Sequence, residues 1–446
     1  MAGGGSIQRP SGTEDLFGEE FERLERLERL CANTAKIWGY SGIRTPVFEH
    51  TGLFTRSIGE VTDIVEKEMF TIPRQTDKAG ADSFTLRPEN TAGVVRAYLE
   101  HNLHKTQGLT KLWYVGPQFR RERPQKGRLR EFNQMGVEVL GLEKDESGAN
   151  YAAYAEVMLL AAEVLARCGL KGVKLRYNSV GCKAEGCRDA CRENLKAELA
   201  AQKEKLCGDC RKRIDRNVFR VLDCKKPNCR AVCEDLLREV PQKFCADCER
   251  QRSAITGQLE ALKPEGIEVV SDPFLVRGLD YYTGTVFECA AGGLGAQDAV
   301  GGGGSYDGLI EELGGPSLGA TGFALGLERI LLSLAAAETG VPDAPTVGPM
   351  GYVASAAADA SGGPALKQFG LAVRLRQKGI RTEFDLAGRR LKGQLKQANR
   401  LGARLAVIIG DDEEAQGEAN LKDMESGEQR RVKQSDLAAE IWKAIG

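Results

Sequence analysis

The sequence predicts an α+β protein: an antiparallel sheet with its own helices, a cysteine-rich insertion, and a small α/β unit at the C-terminal end. Three observations predict it. Strand-like runs cluster, most clearly at 112–119 and 128–140, while helical periodicity is confined to separate segments. Ten of the 13 cysteines lie between Cys182 and Cys248, so they form one module and are not spread through a core. A Gly/Pro-rich stretch at 338–348 separates the last hundred residues, a normal domain size, from the rest.

The first helix is expected over 14–38, where Phe21, Leu24, Leu27, Leu30 and Cys31 recur at helical steps among Glu and Arg, and Gly39 to Gly42 end it. Residues 43–48 read as a strand, which Pro46 confines to an edge. Further strands are expected at 66–72, 83–87, 112–119, 128–140 and 284–290. Helices are expected at 90–102, 149–168, 324–337, 362–378 and 388–401. Beyond 338–348 come a helix, a short strand at 380–384, a basic helix and an apolar strand, 405–409. The expected division is a main domain over 1–337 interrupted by an insertion at 178–255, a linker over 338–348, and an α/β domain over 349–446.

Composition bounds the class. The chain has 446 residues, enough for two or three domains. Its net charge of −1 excludes a uniformly basic nucleic-acid coat, but leaves room for local basic surfaces. No apolar run is long enough to span a bilayer. Met1 to Ser6 lacks the basic and apolar segments of a secretory signal. The expected location is cytoplasmic, with no membrane partner.

The cysteines repeat. Cys182, Cys187, Cys191, Cys207 and Cys210 form one set; Cys224, Cys229, Cys233, Cys245 and Cys248 form the other. Each set closes on C-x-x-C, whose two thiolates can take adjacent corners of a zinc tetrahedron. Disulfides do not suit a cytosolic chain. Free buried thiols are the competing reading, but the flanking residues are polar. The spacing favours two Cys₄ zinc sites, with one as the alternative. Five cysteines per set leave the grouping open. Cys191 and Cys233 are the candidate spares, and Cys182, Cys187, Cys207, Cys210, Cys224, Cys229, Cys245 and Cys248 the candidate ligands.

From Lys111 to Gln134 there are seven Lys/Arg against two Asp/Glu, a local concentration in a near-neutral chain. Two charged strands joined by a basic turn supply guanidiniums, an aromatic face at Phe132 and a positive loop. Those are the parts a nucleoside triphosphate and a nucleic acid require. A solvated amphipathic hairpin is the plainer reading of the same residues. The run at Gly301 to Gly304 lacks a following Lys-Ser/Thr, so it reads as close backbone packing rather than a phosphate loop. His50, His101 and His104 have no triad or metal spacing.

Three further motifs carry a resemblance. They are Thr85-Leu86-Arg87-Pro88-Glu89-Asn90-Thr91-Ala92, Arg277-Gly278-Leu279-Asp280-Tyr281-Tyr282-Thr283-Gly284, and Gly322-Phe323-Ala324-Leu325-Gly326-Leu327-Glu328-Arg329. With Phe119 to Gln134, they make the chain resemble a histidyl-tRNA synthetase, a class II aminoacyl-tRNA synthetase, over nearly its whole length. The resemblance implies a six-stranded antiparallel catalytic sheet, an anticodon-binding C-terminal domain, and a homodimer with Pro46 at its interface. Two positions depart from the family pattern: Asn90 stands for a usual Gly, and Ser305 for a usual Arg.

The implied substrates are L-histidine, ATP with Mg²⁺, and tRNA(His). By resemblance, Arg120 and Arg277 flank the reacting phosphate and carboxylate. Glu122, Arg128, Phe132 and Arg329 bind ATP. Glu89, Asn90, Thr91, Gln134, Glu138, Tyr281 and Tyr282 surround the amino acid. Read from spacing alone, Glu138 alternates with Val137 and Val139 and could be a solvated strand face. Arg389, Lys392 and Lys396, with Arg390 and Arg400, are expected on one tRNA-binding helix. The alternatives are a non-catalytic histidine-binding regulatory paralogue and an RNA- or partner-binding module built on the zinc segment.

Overall fold

The computed structural model describes residues 7–59, 62, 64–73, 83–143, 150–239, 242, 244–295, 298–348, 350–356 and 366–445. Met1 to Ser6 and the start of the expected helix at 362–378 lie outside them. The main sheet has eight strands. Six are mutually antiparallel, in the spatial order Thr110–Phe119, Glu131–Leu142, Gly319–Gly326, Ala299–Ser305, Thr285–Ala290, Val173–Ser179. Ser41–Gly42 and Ile267–Ser271 add parallel edges. The expected six-stranded antiparallel sheet is therefore the centre of a larger mixed one.

Alternation along Glu131–Leu142 divides the molecule into two layers. Met135, Val137 and Val139 face a core shared with the helices Glu19–Ile37, Asn150–Arg167 and Leu327–Ala336. Phe132, Gln134, Gly136 and Glu138 belong to the opposite face. There Val94, Val95 and Tyr98, from the helix Thr91–Glu100, pack with Tyr114, Tyr281, Tyr282 and Tyr306. Glu138 is thus buried (1% exposed), which overturns the solvated-face reading.

Several local expectations change. Residues 43–47 form no strand; pairing begins only at Phe48–His50, in a small sheet with Phe84–Leu86 and Phe70–Ile72. Pro46 precedes that strand, as its missing N–H requires. The start of the 66–72 run is helical, within Ile64–Glu68. The helix expected at 324–337 begins at Leu327, because Gly319–Gly326 is a central strand whose residues are buried on both faces and lack alternation. The Gly301 to Gly304 run is a strand in the middle of the sheet, in keeping with the close-packing reading.

The cysteine segment is helical: Arg188–Ala201, Gly208–Arg216, Phe219–Leu222, Pro227–Glu239 and Ala246–Leu262. The first four enclose a small core of Leu195, Leu199, Leu222 and Leu236. The C-terminal sheet has five strands in the order Arg381–Phe384, Met350–Ser355, Leu405–Ile409, Glu418–Asp423, Gln429–Lys433. A buried charge cluster ties it to the main sheet. Glu156 accepts from Arg376 at 2.8 Å and from Lys111 at 2.7 Å, and Lys111 also reaches Glu383 at 3.4 Å. The stretch before Met350 is itself held down, since Asn33 donates to the Pro345 carbonyl and Val341 is buried.

Candidate active site and metal centres

A cavity of about 650 Å³ opens on the polar face of the main sheet. It is lined by Glu89, Thr91, Arg120, Glu122, Arg128, Phe132, Gln134, Arg277, Tyr281, Tyr282 and Arg329, among others. Residues far apart in sequence converge there because each sits at a strand end or in a loop of one sheet.

The arginine end comes first. Arg120 leaves the strand Thr110–Phe119; its Nε donates to the Pro88 carbonyl at 2.9 Å and its guanidinium lies over the Phe132 ring at 5.3 Å. Arg128 pairs with Glu122 at 3.0 Å across the basic turn. Arg329 starts the helix Leu327–Ala336 and donates to the carbonyls of Ala299 (2.6 Å) and Gly127 (3.0 Å), so it joins that turn to the sheet. Arg277 pairs with Glu288 at 3.2 Å. Burial works against its charge, but Tyr282 and Glu288 outweigh burial and hold it above the usual arginine range.

The carboxylate end lies deeper. Glu89 accepts the backbone N–H groups of Thr91 (2.7 Å) and Ala92 (3.0 Å), capping the helix Thr91–Glu100. Glu138 lies behind three hydroxyls of the wall: Thr91 donates to it at 2.8 Å, Tyr114 at 3.3 Å, and Tyr306 through a short hydrogen bond. Burial pushes the Glu138 carboxyl up to about 8, against the stabilising hydroxyls. A Cβ on Gly322 would overlap the Glu138 carboxylate, so the third motif needs glycine there. Gln134 Oε1 and Arg277 Nε are buried and have no hydrogen-bond partner among the described residues. Native proteins rarely leave such atoms unpaired except where a ligand or water completes them.

Not every expected residue lines this cavity. Asn90 and Glu138 are both absent from the cavity wall: Asn90 is buried with its Oδ1 accepting the Thr45 hydroxyl at 2.7 Å, and Glu138 lies behind the lining residues Thr91, Tyr114 and Tyr306. Sequence reasoning missed Tyr114, although its place on the same strand face as Leu112 was available from alternation. It also missed that Arg220, Asp223, Lys225, Lys226 and Arg230 from the cysteine segment complete the wall. No local pattern signals a contact of that separation.

All 13 cysteines are free thiols. Eight converge in two groups: Cys182, Cys187, Cys245 and Cys248, and Cys207, Cys210, Cys224 and Cys229. The sulfurs of each group lie within 4.8 Å of one another. Cys182 and Cys245 are 3.6 Å apart, Cys187 and Cys248 3.7 Å. A tetrahedron with metal–sulfur bonds of ~2.3 Å has edges of ~3.8 Å, so the donor set fits zinc. The grouping crosses the two sequence repeats: the first pair of one repeat joins the C-x-x-C of the other. Cys191 and Cys233 stand outside both groups. Burial raises the Cys207 thiol, but hydrogen bonds from the Cys210 backbone and neighbouring thiols prevail and bring it down to about 6, while burial holds its partners Cys210 and Cys229 up.

In the C-terminal domain, the basic helix is Leu391–Arg400. Arg389 and Arg390 precede it, contrary to expectation. Arg389 is held by Asp385, at 2.6 Å, and does not share the face of Lys392, Lys396 and Arg400. Those three are exposed at successive four-residue steps.

A six-stranded antiparallel centre with a cavity on one face, followed by a separate α/β domain, is the architecture of a class II aminoacyl-tRNA synthetase. The family described as Histidyl-tRNA synthetase matches residues 12–330, and the Anticodon binding domain matches 368–443. The chain is similar to the Histidine--tRNA ligase of Moorella thermoacetica, at 45% identity over 95% of both chains. It is also similar to that of Desulforudis audaxviator, at 44% over 98% of both. Its fold matches apo histidyl-tRNA synthetase of S. aureus with a TM-score of 0.57 and 32% identity, covering 98% of this chain and 99% of that one. The chain belongs to the histidyl-tRNA synthetase family.

Proposed function

We infer that the chain is a histidine–tRNA ligase: it activates L-histidine with ATP and transfers the histidyl group to the 3′ end of tRNA(His). The observation that carries this reading is that one cavity is lined both by the arginines and by the three hydroxyl residues that donate to Glu138 behind them. In the first step the histidine carboxylate attacks the α-phosphorus, a new P–O bond forms, and pyrophosphate leaves with the electrons of the broken one. Arg120 and Arg277 stabilise the charge that grows on the α-phosphate. Adenine lies against Phe132, with Arg329, Glu122 and Arg128 around the nucleotide. In the second step a hydroxyl of the terminal tRNA ribose attacks the histidyl carbonyl and AMP leaves.

Glu89, Thr91 and Gln134 offer acceptors to the histidine ammonium. Tyr281 and Tyr282 border the imidazole, and Glu138 orients the hydroxyls of Thr91, Tyr114 and Tyr306 around it. Such a pocket rejects apolar isosteres because its buried groups would be left unpaired. Glu122, Glu288 and Asp298 line the cavity, but each already pairs with an arginine. That suits a Mg²⁺ that enters with the phosphates and keeps its waters, rather than one caged by protein; bound there, it screens the pyrophosphate charge. Charging tests the whole reading. Purified protein is expected to attach histidine to a tRNA(His) transcript; absence of charging with active transcript would refute it. A regulatory histidine binder is disfavoured by Arg120, Arg277 and Arg329, which such a protein has no use for.

Exposed Val47, Phe48 and Ile72, at the small sheet, supply an apolar surface suited to the homodimer interface. Among the described residues no helix is long and apolar enough to cross a membrane; the free thiols agree with a cytoplasmic setting. The proposed division is a catalytic domain over 1–337 with an insertion at 178–255, a linker at 338–348 and an anticodon-binding domain at 349–446.

The two thiolate groups are proposed as structural zinc sites, with no open position for catalysis. Metal analysis of protein purified without chelator is expected to find two zinc ions per chain, with the eight grouped cysteines protected from thiol reagents. No metal and free titration of all eight would refute it.

Lys392 and Lys396 are proposed to contact tRNA phosphates. Reversing both to Glu is expected to lower charging at subsaturating tRNA by about tenfold or more and to flatten its salt dependence, since fewer counterions are released. Histidine activation without tRNA is expected to stay unchanged. Charging at the parental rate would remove this face from the interface.

A further inference from the structure

The segment 277–283, between Val276 and the strand Thr285–Ala290, belongs to no strand; its backbone donates to the sheet at the Ser305 carbonyl from Thr283 (2.8 Å), and to the Ile58 carbonyl from Asp280 (3.3 Å). It carries Arg277, Tyr281 and Tyr282 into the cavity, so its position sets where they point. Two side chains from the cysteine segment hold it. Arg188 donates to the Tyr282 carbonyl at 2.6 Å. Asn217 Nδ2 donates to Asp280 Oδ1 at 2.8 Å.

Each of these side chains is mounted on a different thiolate group. Arg188 directly follows Cys187 and opens the helix Arg188–Ala201. Asn217 ends the helix Gly208–Arg216, which begins after Cys207 and contains Cys210. Neither helix has a side-chain cap at its N-terminus, where a cysteine stands instead. A cysteine ligand therefore marks the point at which each helix starts, and a bound metal would fix that point.

We propose that the two Cys₄ groups, loaded with zinc, position the 277–283 segment for histidine recognition, the Cys182 group through Arg188 and the Cys207 group through Asn217. This rests on the histidine-activating reading given above. Arg188 and Asn217 are positioning residues: they touch the segment and not the substrates. The zinc sites thereby act on amino-acid affinity, not only on the folding of the insertion. The side chains that the segment brings to the amino acid depend on both braces, whereas Phe132, Arg128 and Arg329 of the nucleotide end hang on other elements.

The test uses full-length Arg188→Met, Arg188→Lys and Asn217→Ala proteins with every cysteine intact. Zinc content, melting temperature, and separate KM values for histidine and ATP in pyrophosphate exchange are measured. Loss of a hydrogen bond to a charged group predicts a histidine KM about tenfold higher in Arg188→Met and Asn217→Ala. ATP KM and zinc content are expected at parental values, with part of the affinity restored in Arg188→Lys. Parent protein treated with chelator is expected to show the same histidine KM rise, reversed by added zinc. Histidine KM within about twofold of the parent in both variants would overturn the proposal. So would an equal rise in both KM values, which marks a loosened fold. A parent that does not exchange with histidine at all overturns the underlying reading instead.

Discussion

Arg277→Ala is expected to slow histidyl-adenylate formation by about a hundredfold to a thousandfold, the usual cost of deleting one preorganised donor from developing charge. In the cavity wall, Arg277 combines a charge with a buried, unpaired donor atom. Its Nη1 pairs with Glu288, while its Nε is buried without a partner among the described residues. A Cβ on Gly302 would come within 2.9 Å of its guanidinium, so the glycine strand is shaped around it. The fold should survive the change. Glu288 keeps Arg176 at 3.8 Å and is not stranded as a lone buried charge. Circular dichroism and zinc content are therefore expected to match the parent. Exchange within about threefold of the parental rate would place the reacting phosphate elsewhere.

Glu138→Gln is expected to raise the histidine KM by about tenfold to a hundredfold, because both carboxyl oxygens accept hydroxyl hydrogen bonds and the amide nitrogen that replaces one of them cannot. ATP KM is expected to be unchanged, since Glu138 lies beneath Thr91, Tyr114 and Tyr306 and away from Arg128 and Arg329. The same variant has a pH signature of opposite sign. Burial raises the Glu138 carboxyl from 4.5 to about 8 in the folded protein. The folded state thus holds its proton where the unfolded state has lost it. Stability from this group is complete below the unfolded value and is lost as pH rises through about 8. Gln cannot ionise. Relative to the parent, the variant is expected to melt higher at about pH 9 than at about pH 6. Melting curves at the two values check this; a difference that does not change between them would mean that Glu138 is ionised in the folded protein throughout.

The parts legible in the sequence are those with local signals. The strands at 110–119 and 131–142 alternate, the helix Glu19–Ile37 keeps a 3.6-residue stripe, and the four motifs fall in order. What was illegible depends on distant neighbours. Gly319–Gly326 is buried on both faces, so periodicity could not separate it from the helix that follows. The 43–48 run has strand propensity, yet Thr45 is occupied by Arg87 and Asn90 and pairing waits until Phe48. Glu138 looks like a surface residue beside valines; only the sheet's second layer shows that its face is the pocket. The cysteine spacing set Cys191 and Cys233 apart from the eight cysteines that converge, but the cross-pairing of the repeats is a property of how five helices pack. Arg389 fitted a helical face by counting, until Asp385 took it out of the helix.

The most direct measurement is ATP–pyrophosphate exchange by the purified protein with each of the standard amino acids in turn. The cavity predicts exchange with histidine and background rates with every other, because no other side chain offers one donor and one acceptor in a five-membered ring to that hydroxyl nest. Equal exchange with histidine and any second amino acid would contradict the account.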